Sequence, residues 1–324
     1  MDYTHLGRSG VSVSRLCLGT MNFGSFTSAA DAHQIMDGAL DRGINFFDSA
    51  NTYGRPRAEG VTEQIIGDWL AAGTGRRDKI VLATKLYGGK GEWPNDSFLS
   101  ALNIRRSCDD SLRRLGTDHI DLYQMHHVDR ATPWDEIWEA MAVLRAQGKI
   151  IYVGSSNFAG WHIARAQEAA ARHGALGLVS EQSLYNLAAR TVELEVLPAC
   201  QGYGLGVLPW SPLHGGLLGG ILRKEPGAGR SGGGRAGEAL AGMRAQIEAY
   251  EALCADIGAD PAQVGLAWLL HQPAVTAPIV GPSSPGQLDG ALRALDLTLD
   301  DGALARLDEI FPGPGGAAPE AYAW

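Results

Sequence analysis

The sequence predicts an α/β protein folded as a (β/α)₈ TIM barrel. The first observation is that short apolar segments alternate with segments of helical periodicity along the whole chain. The second is that the apolar segments are continuous rather than alternating, as in strands buried on both faces of a parallel sheet. The third is their number: eight such segments occur in 324 residues, and a barrel of this kind takes about 250 residues plus insertions.

Eight short segments have the composition of buried strands. Between them apolar residues recur at helical spacing, as in Ile104, Cys108 and Leu112 and again in Ile137 and Met141. A doubly wound open sheet is the alternative, but no G-x-G-x-x-G motif follows the first predicted strand. The predicted strands are 16–20, 44–48, 80–84, 120–124, 151–154, 177–180, 205–209 and 277–280.

Three segments lie outside the eight predicted strand-and-helix units, and the sequence predicts a structure for each. Residues 1–15 are expected to form an N-terminal hairpin around Ser9 that covers the barrel floor. Residues 219–237 follow the seventh strand, and their glycine and charge content predicts a long mobile loop. The tail, 312–324, is expected to run over the surface. The chain is therefore interpreted as a single domain, 1–324.

The amino-acid composition limits the kinds of molecule that the protein is expected to bind. The net charge is −9 and the sequence pI is about 5.5, without a run of lysine and arginine, which argues against nucleic acid or an anionic membrane as partner. No segment reaches membrane-spanning length, and the first residues do not resemble a secretory signal. The four cysteines are scattered and form no C-x-x-C pattern, as in a reducing compartment. We expect a cytoplasmic protein with a small-molecule substrate.

Each predicted strand ends in polar or aromatic residues. Barrel enzymes build their active sites at the carboxyl ends of the strands, so these residues are expected to form one site. In strand order they are Gly19-Thr20, Asp48, Thr84-Lys85, Met125-His126-His127, Ser155-Ser156-Asn157, Glu181-Gln182, Trp210-Ser211 and Gly281.

The residue types at these ends predict proton transfer to a carbonyl oxygen. A lysine at Lys85 beside the carboxylate of Asp48 would form a buried ion pair, and this cation is expected to lower the pKa of the Tyr53 phenol toward neutrality. Tyr53 could then act as a general acid while His126 donates a hydrogen bond to the substrate oxygen. No serine or cysteine nucleophile with an adjacent base occurs at these ends, so another group must deliver a hydride.

Other interpretations of these residues are weaker. Asp48 alone could be a turn former, and Trp210 alone could be an ordinary core residue. His126, His127 and Asp129 together suggest a metal site, but neighbouring residues on a strand point to opposite faces and a further donor at workable spacing is missing. We predict that no metal is required.

The motifs GINFFDSANTYG, VLATK, DLYQMHH, YVGSSNF, EQSLYN, PWSPL and PIVGPSS resemble those of the aldo-keto reductases, in the same order over nearly the whole chain. The resemblance implies a catalytic tetrad and binding of NADPH. The implied tetrad is Asp48, Tyr53, Lys85 and His126, with Tyr53 as the acid. The implied cofactor-binding residues are Gly19, Thr20, Asp48, Ser156, Asn157, Gln182, Trp210, Ser211, Leu213, Gly281, Ser283 and Gln287, of which Ser156, Asn157 and Gln182 match carboxamide ligands and Trp210 matches the residue that stacks on the nicotinamide.

Longer stretches resemble the actinomycete reductases of nucleotide-linked deoxyhexoses, which implies a keto-deoxysugar nucleotide as substrate. Two alternatives stay open: a cofactor-binding regulatory subunit like the channel partners in this family, and a 2,3-enoyl reductase of nucleotide sugars. The chain departs from the family where an arginine usually grips the 2′-phosphate of NADP. Ser283 or Gln287 stands there, followed by Gly290 and Ala291, so a reduced preference for NADPH over NADH is expected.

Overall fold

The computed structural model describes residues 1–56, 59–89, 91–223 and 235–315. Within these residues two sheets are present, an N-terminal antiparallel hairpin and an eight-stranded parallel sheet. The hairpin consists of β1 (Tyr3–His5) and β2 (Ser12–Ser14). The parallel sheet consists of β3 (Cys17–Gly19), β4 (Phe46–Asp48), β5 (Val81–Leu86), β6 (Ile120–Met125), β7 (Ile150–Ser156), β8 (Leu178–Gln182), β9 (Gly206–Val207) and β10 (Ile279–Val280).

The parallel sheet closes on itself, which confirms the predicted barrel. Its strand order is β10-β3-β4-β5-β6-β7-β8-β9, so β9 and β10 are the two edges. The backbone joins these edges: Thr276 N donates to Val207 O at 2.9 Å and Ile279 N donates to Pro209 O at 2.9 Å. Each predicted apolar segment overlaps one of the eight strands. The last two strands are short because Pro209 and Pro278 have no N–H to donate to a ladder.

Helices follow the strands as predicted and cover the outside of the barrel. Among the described residues they are α1 (Ala29–Asp41), α2 (Val61–Ala71), α3 (Ala101–Leu115), α4 (Trp134–Ala146), α5 (Gly160–Arg172), α6 (Val196–Tyr203), α7 (Arg235–Ile257), α8 (Pro261–His271), α9 (Pro285–Leu292) and α10 (Asp301–Ile310). Asp260 caps α8, accepting from Ala262 N at 2.9 Å. Thr132, in contrast, does not cap α4, because its hydroxyl donates to Asp129 Oδ2 at 2.7 Å.

The N-terminal hairpin fills the barrel floor, as the sequence predicts. Leu6 and Val13 are fully buried and join the apolar cluster inside the barrel. Gly7 has φ +55°, and a Cβ there would overlap the carbonyl oxygen of Val179 on β8. Only glycine permits the hairpin to approach the strand this closely, so the hairpin seals the end of the barrel opposite the strand carboxyl ends.

The prediction of a mobile loop over 219–237 is wrong at its C-terminal end. Helix α7 begins at Arg235, so the last residues of the predicted loop 219–237 are helical. The sequence from 235 onward is rich in alanine, leucine and glutamate, and these helix formers outweigh its glycines. Residues 224–234 and 316–324, which include most of this loop and of the predicted tail, lie outside the described residues. No helix of the described chain is long and apolar enough to cross a membrane.

Candidate active site

The carboxyl ends of β4 and β5 bring a carboxylate, an ammonium and a phenol together. Lys85 Nζ donates to Asp48 Oδ2 at 2.5 Å and to Ser49 O at 2.9 Å. The same ammonium donates to Tyr53 Oη at 3.2 Å. The Lys85 side chain is 0% exposed and that of Asp48 is 3% exposed, whereas the Tyr53 ring is half-buried. The three groups therefore form a line from the barrel interior to its mouth.

Two amides hold the second oxygen of Asp48. Gln124 Nε2 donates to Asp48 Oδ1 at 2.9 Å, and Gln182 Nε2 donates to the same oxygen at 3.0 Å. Gln182 Nε2 also lies 3.2 Å from Gln124 Oε1. These contacts orient the carboxylate so that Oδ2 faces Lys85. Gln124 was not predicted from the sequence, although its place near the end of an apolar strand, in register with Lys85, is a usable signal.

The environment sets the proton affinities of the ion pair and the phenol. Burial tends to lower the pKa of Lys85, but the nearby Asp48 carboxylate and Tyr53 raise it above its ordinary value, so the ammonium stays charged. Burial raises the pKa of Tyr53, and the Lys85 charge and hydrogen bond oppose this only in part. The expectation that Lys85 brings the pKa of Tyr53 toward neutrality is therefore wrong: in the protein alone the phenol is protonated at neutral pH.

Aromatic side chains lead outward from Tyr53. The Tyr53 and His126 rings meet edge to face with centroids 5.9 Å apart, and His126 stacks on His127 at 5.5 Å. His127 meets Tyr87 at 5.3 Å, and Tyr87 meets Phe98 at 5.3 Å. This series runs from the phenol to an exposed ring at the rim and forms one wall for a substrate.

The structure gives no support to the metal interpretation. Among the described residues no group of three His, Cys, Asp or Glu side chains is placed to hold an ion. Asp129 instead accepts from Ala131 N and Thr132 Oγ1 within its own loop. Burial lowers the pKa of His127, which keeps its ring neutral.

The ends of β7 and β9 present a preorganised polar group beside this site. Asn157 has a left-handed φ of +59°, and its Nδ2 donates to Ser156 Oγ at 2.9 Å and to His126 O at 3.2 Å. Its Oδ1 accepts from Trp210 Nε1 at 3.0 Å. The half-buried indole is thereby fixed in orientation next to the predicted carboxamide ligands.

Glu181, on the strand β8, holds this polar group in place; the sequence places it among the strand-end residues but predicts no role for it. It is 0% exposed and accepts from Ser155 Oγ at 2.5 Å, Ser183 Oγ at 2.7 Å and Phe158 N at 3.1 Å. Burial raises its pKa to about 7, although the hydrogen bonds oppose the shift. The carboxyl group ties the ends of β7 and β8 together around Asn157.

The segment after Trp210 has a left-handed backbone at several positions. Ser211 and His214 have φ of +52° and +49°, and Gly215 has φ +68°. Gly215 N donates to Ser211 Oγ at 3.0 Å, and a Cβ at Gly215 would meet no atom within 4 Å. The N–H groups of His214, Gly215 and Gly216 bond within the segment, to Ser211 O, Ser211 Oγ and Leu213 O. Leu213, half-buried in this segment, packs against the apolar core.

The remaining predicted cofactor residues lie at the ends of β3 and β10. Thr20 Oγ1 donates to Asp48 O at 2.9 Å and follows Gly19. Gly281 O accepts from Asn22 Nδ2 at 2.7 Å. Ser283 N and Oγ both donate to Gln287 Oε1, at 2.9 and 3.1 Å. Ser283 and Gln287 are thus exposed and bonded to each other at the start of α9.

A closed eight-stranded parallel barrel with an ion-paired lysine against a phenol at its mouth is the architecture of a barrel oxidoreductase. The family model described as "Aldo/keto reductase family" matches residues 15–311. The chain belongs to the aldo/keto reductase family.

Three relatives illustrate the range of this family. The chain is 52% identical over 328 residues to "Uncharacterized oxidoreductase YrpG" of Bacillus subtilis (strain 168), covering 100% of both chains. It is 32% identical to versiconal hemiacetal acetate reductase of Aspergillus parasiticus, covering 96% of this chain and 97% of that protein. It is also 34% identical to a probable voltage-gated potassium channel subunit beta of Oryza sativa subsp. japonica, covering 92% of each.

Proposed function

We propose that this protein is an NADPH-dependent carbonyl reductase in which Tyr53 protonates the carbonyl oxygen. The observation that carries the proposal is the Tyr53 hydroxyl, which lies 3.2 Å from an ammonium that is itself buried and ion-paired. A phenol that remains protonated at neutral pH can donate its proton to a carbonyl oxygen as negative charge develops there. The Lys85 charge then stabilises the phenolate that remains.

Each neighbour of Tyr53 has a separate proposed role. Asp48, oriented by two amides, keeps Lys85 charged and directed at the phenol. His126, in edge contact with Tyr53, offers a second hydrogen bond to the substrate oxygen. Two donors converging on one oxygen would position the carbonyl as well as polarise it.

The polar group at the ends of β7, β8 and β9 suits a nicotinamide. The proposed carboxamide ligands are Ser156, Asn157 and Gln182, and the fixed indole of Trp210 offers a stacking surface. The left-handed segment that begins at Ser211 is proposed to lie against the pyrophosphate, to which the Ser211 hydroxyl can donate. When bound, the reduced nicotinamide supplies the hydride.

The aromatic wall supports a substrate with a ring. The faces of His127, Tyr87 and Phe98 suit either an aromatic ring or the C–H faces of a sugar. We propose a keto-deoxysugar nucleotide or a related secondary metabolite as the substrate, with the reacting carbonyl at Tyr53.

Two other functions use the same cofactor site. A regulatory subunit is suggested by relatives named as probable potassium channel subunits beta in Oryza sativa and Arabidopsis thaliana. A nucleotide-sugar 2,3-enoyl reductase would require hydride delivery to a C=C bond. The tetrad geometry favours carbonyl reduction, because it places an acid and a cation together at one oxygen-binding point.

Tyr53→Phe is the decisive variant. NADPH oxidation should be followed with a panel of aldehydes, ketones and 4-keto-6-deoxy nucleotide sugars. We expect kcat to fall about 10²–10⁴-fold while the Kd for NADPH stays unchanged. Tyr152→Phe, on the half-buried floor side of β7, is the matched control and should retain wild-type activity.

The results separate the three functions. A Tyr53→Phe enzyme with half the wild-type rate would contradict the assignment of the acid. Oxidation of one equivalent of bound NADPH without steady-state turnover would identify a regulatory subunit. Product analysis by NMR would show a saturated C–C bond in place of a new alcohol if the enzyme reduces enoyl groups.

A further inference from the structure

A pocket lined by both charged and aromatic side chains lies on the rim of the barrel mouth, away from the tetrad. It has a volume of about 340 Å³ and lies between the loop that follows β6 and the first turns of α5. We call it the rim pocket; its lining residues are 128–134, Trp161, His162 and Arg165. A second cavity of about 360 Å³ shares Pro133, Trp134 and Arg165 with it and extends the groove.

The rim pocket opens at the same end of the barrel as Tyr53. Its loop leaves the carboxyl end of β6, where His126 is the first residue after the strand. Arg130 follows four residues later, and four residues of extended chain reach at most about 14 Å. The proposed phosphate segment at Ser211 follows β9, which is three strands away from β6 in the sheet. The rim pocket is therefore separate from the cofactor's phosphates and near the substrate.

Two guanidinium groups converge in the rim pocket. Arg130 Nε donates to His162 Nε2 at 3.3 Å, and Arg165 Cζ lies 5.9 Å from the centre of the Trp161 ring. Burial, together with the positive charges of Arg130 and Arg165, lowers the pKa of His162. His162 Nε2 accepts from Arg130, and both guanidinium groups belong to residues that line the same pocket.

Three carboxylates line the two cavities, and each accepts a hydrogen bond from another group; for Glu168 the donor is Tyr203 Oη at 3.1 Å. Asp129 accepts from Leu99 N, Ala131 N and Thr132 Oγ1, at 3.1, 2.9 and 2.7 Å. Asp135, in the adjoining cavity, pairs with Arg172 and His173. Within the described chain, neither Arg130 nor Arg165 forms an ion pair with a carboxylate. Both side chains remain available to an external anion.

Aromatic surface lies next to these cations. Trp161 is 47% exposed, although one face of its indole contacts His162 at a centroid distance of 3.6 Å. Trp134 lines both cavities and packs edge to face against Phe158 at 5.9 Å. An exposed indole beside two guanidinium groups suits a ligand that joins a flat ring to phosphates.

We propose that the rim pocket binds the nucleoside diphosphate part of a nucleotide-linked carbonyl substrate. Arg130 and Arg165 contact the diphosphate, and the base packs against the exposed part of the Trp161 indole. The inference rests on the proposed carbonyl reduction, because the sugar must then extend from the rim pocket along the aromatic wall to Tyr53. On this proposal the rim pocket selects nucleotide-linked substrates, and small carbonyl compounds react without contacting it.

Calorimetric titration tests binding directly, with uridine diphosphate and inorganic pyrophosphate as probes and NADPH present at saturation. We expect uridine diphosphate to bind more tightly than pyrophosphate. Arg130→Met and Arg165→Met should each weaken binding of uridine diphosphate at least about tenfold, as expected for a charge-assisted contact. Arg145→Met, an exposed residue near the end of α4, makes the same charge change away from the pocket and should leave binding unchanged.

Kinetics separate this inference from the proposed function. In Arg130→Met, kcat/KM for a keto-deoxysugar nucleotide should fall at least tenfold through KM, while kcat/KM for a small aldehyde stays within twofold. A wild-type protein that binds pyrophosphate as tightly as uridine diphosphate, or that binds neither, would overturn the rim pocket proposal. An equal loss with both substrates would also overturn it, since the arginine would then act on the fold. Small-aldehyde reduction that depends on Tyr53 would still support the proposed function in each of these cases.

Discussion

At the scale of single residues, Lys85 connects the structural and chemical parts of the site. Its ammonium contacts Asp48 and Tyr53 at once. Lys85→Met should reduce kcat for carbonyl reduction by about 10²-fold or more. Because the Lys85 charge restrains the pKa of Tyr53, its loss should move the alkaline rise of alcohol oxidation to higher pH.

A pH–rate profile of the reverse reaction measures this shift. Lys149→Met, which removes a surface lysine paired with Asp109, is the control and should follow the wild-type profile. Circular dichroism must show that the variant is folded, since removing one partner of a buried ion pair typically costs about 3–5 kcal/mol. A folded Lys85→Met protein whose profile overlies that of the wild type would refute the role of Lys85.

A second single residue, Glu181, is expected to make the free energy of unfolding depend on pH. Burial raises the pKa of its carboxyl from 4.5 to about 7 in the folded protein. The folded state therefore binds more protons than the unfolded state between these values, and the free energy of unfolding falls as pH rises through this range. Well above pH 7, where the carboxyl is ionised in both states, the free energy of unfolding is about 3 kcal/mol lower than at acidic pH.

Urea denaturation at pH 5 and pH 8 tests this prediction. Glu181→Gln keeps the shape of the side chain and cannot ionise, so its stability should fall less than that of the wild type over the same interval. The difference between the two proteins isolates the carboxyl from other titrating groups. Parallel changes in wild type and variant would show that Glu181 does not titrate there.

At the scale of elements, the strands were predictable because barrel strands are buried on both faces and so consist of continuous apolar runs. The start of α7 was not predictable, because the glycines in 219–237 favour a loop whereas the residues from 235 onward are helical in the structure. Of the four proposed tetrad residues, Asp48, Lys85 and His126 could be placed from the strand ends, whereas Tyr53 lies five residues beyond β4. The pKa of Tyr53 could not, because burial, which raises it most, depends on side chains from several strands.

The start of α9 determines the proposed cofactor preference. Ser283 or Gln287 stands where the resemblance implies an arginine, and the Ser283 N–H and hydroxyl are already bonded to Gln287. Ser284 caps the helix by accepting from Gln287 N at 3.4 Å, and the helix N-terminus still favours a phosphate. We expect the wild type to prefer NADPH modestly. Ser283→Arg should raise the ratio of kcat/KM for NADPH to that for NADH about tenfold or more.

Ser283→Gln is the matched control for this change, because it adds a long polar side chain without charge. It should leave the ratio near the wild-type value. A clear preference of the wild type for NADH, or a ratio unaffected by Ser283→Arg, would contradict a phosphate site at this helix.

At the scale of the whole molecule, one buried cation–carboxylate contact joins three elements of the barrel wall. Glu63 on α2 has a fully buried side chain, and Arg114 on α3 lies 2.6 Å from its Oε2. Thr84 on β5 donates to Glu63 Oε1 at 2.6 Å. Thr84 immediately precedes Lys85, so this contact links the helices outside the barrel to the strand that carries the site. We expect the whole chain to unfold as the single domain predicted from its sequence.

Arg114→Met tests this expectation. The variant leaves the Glu63 carboxylate buried without its cation, so the free energy of unfolding should fall by about 3–5 kcal/mol. Arg113→Met removes an adjacent arginine whose ion-paired side chain is 71% exposed, and it should cost at most about 1 kcal/mol. The double variant Glu63→Gln, Arg114→Met should recover part of the loss. Denaturation followed by far-UV circular dichroism and by kcat should give one coincident transition; separate transitions would show that α2 and α3 unfold independently of the active site.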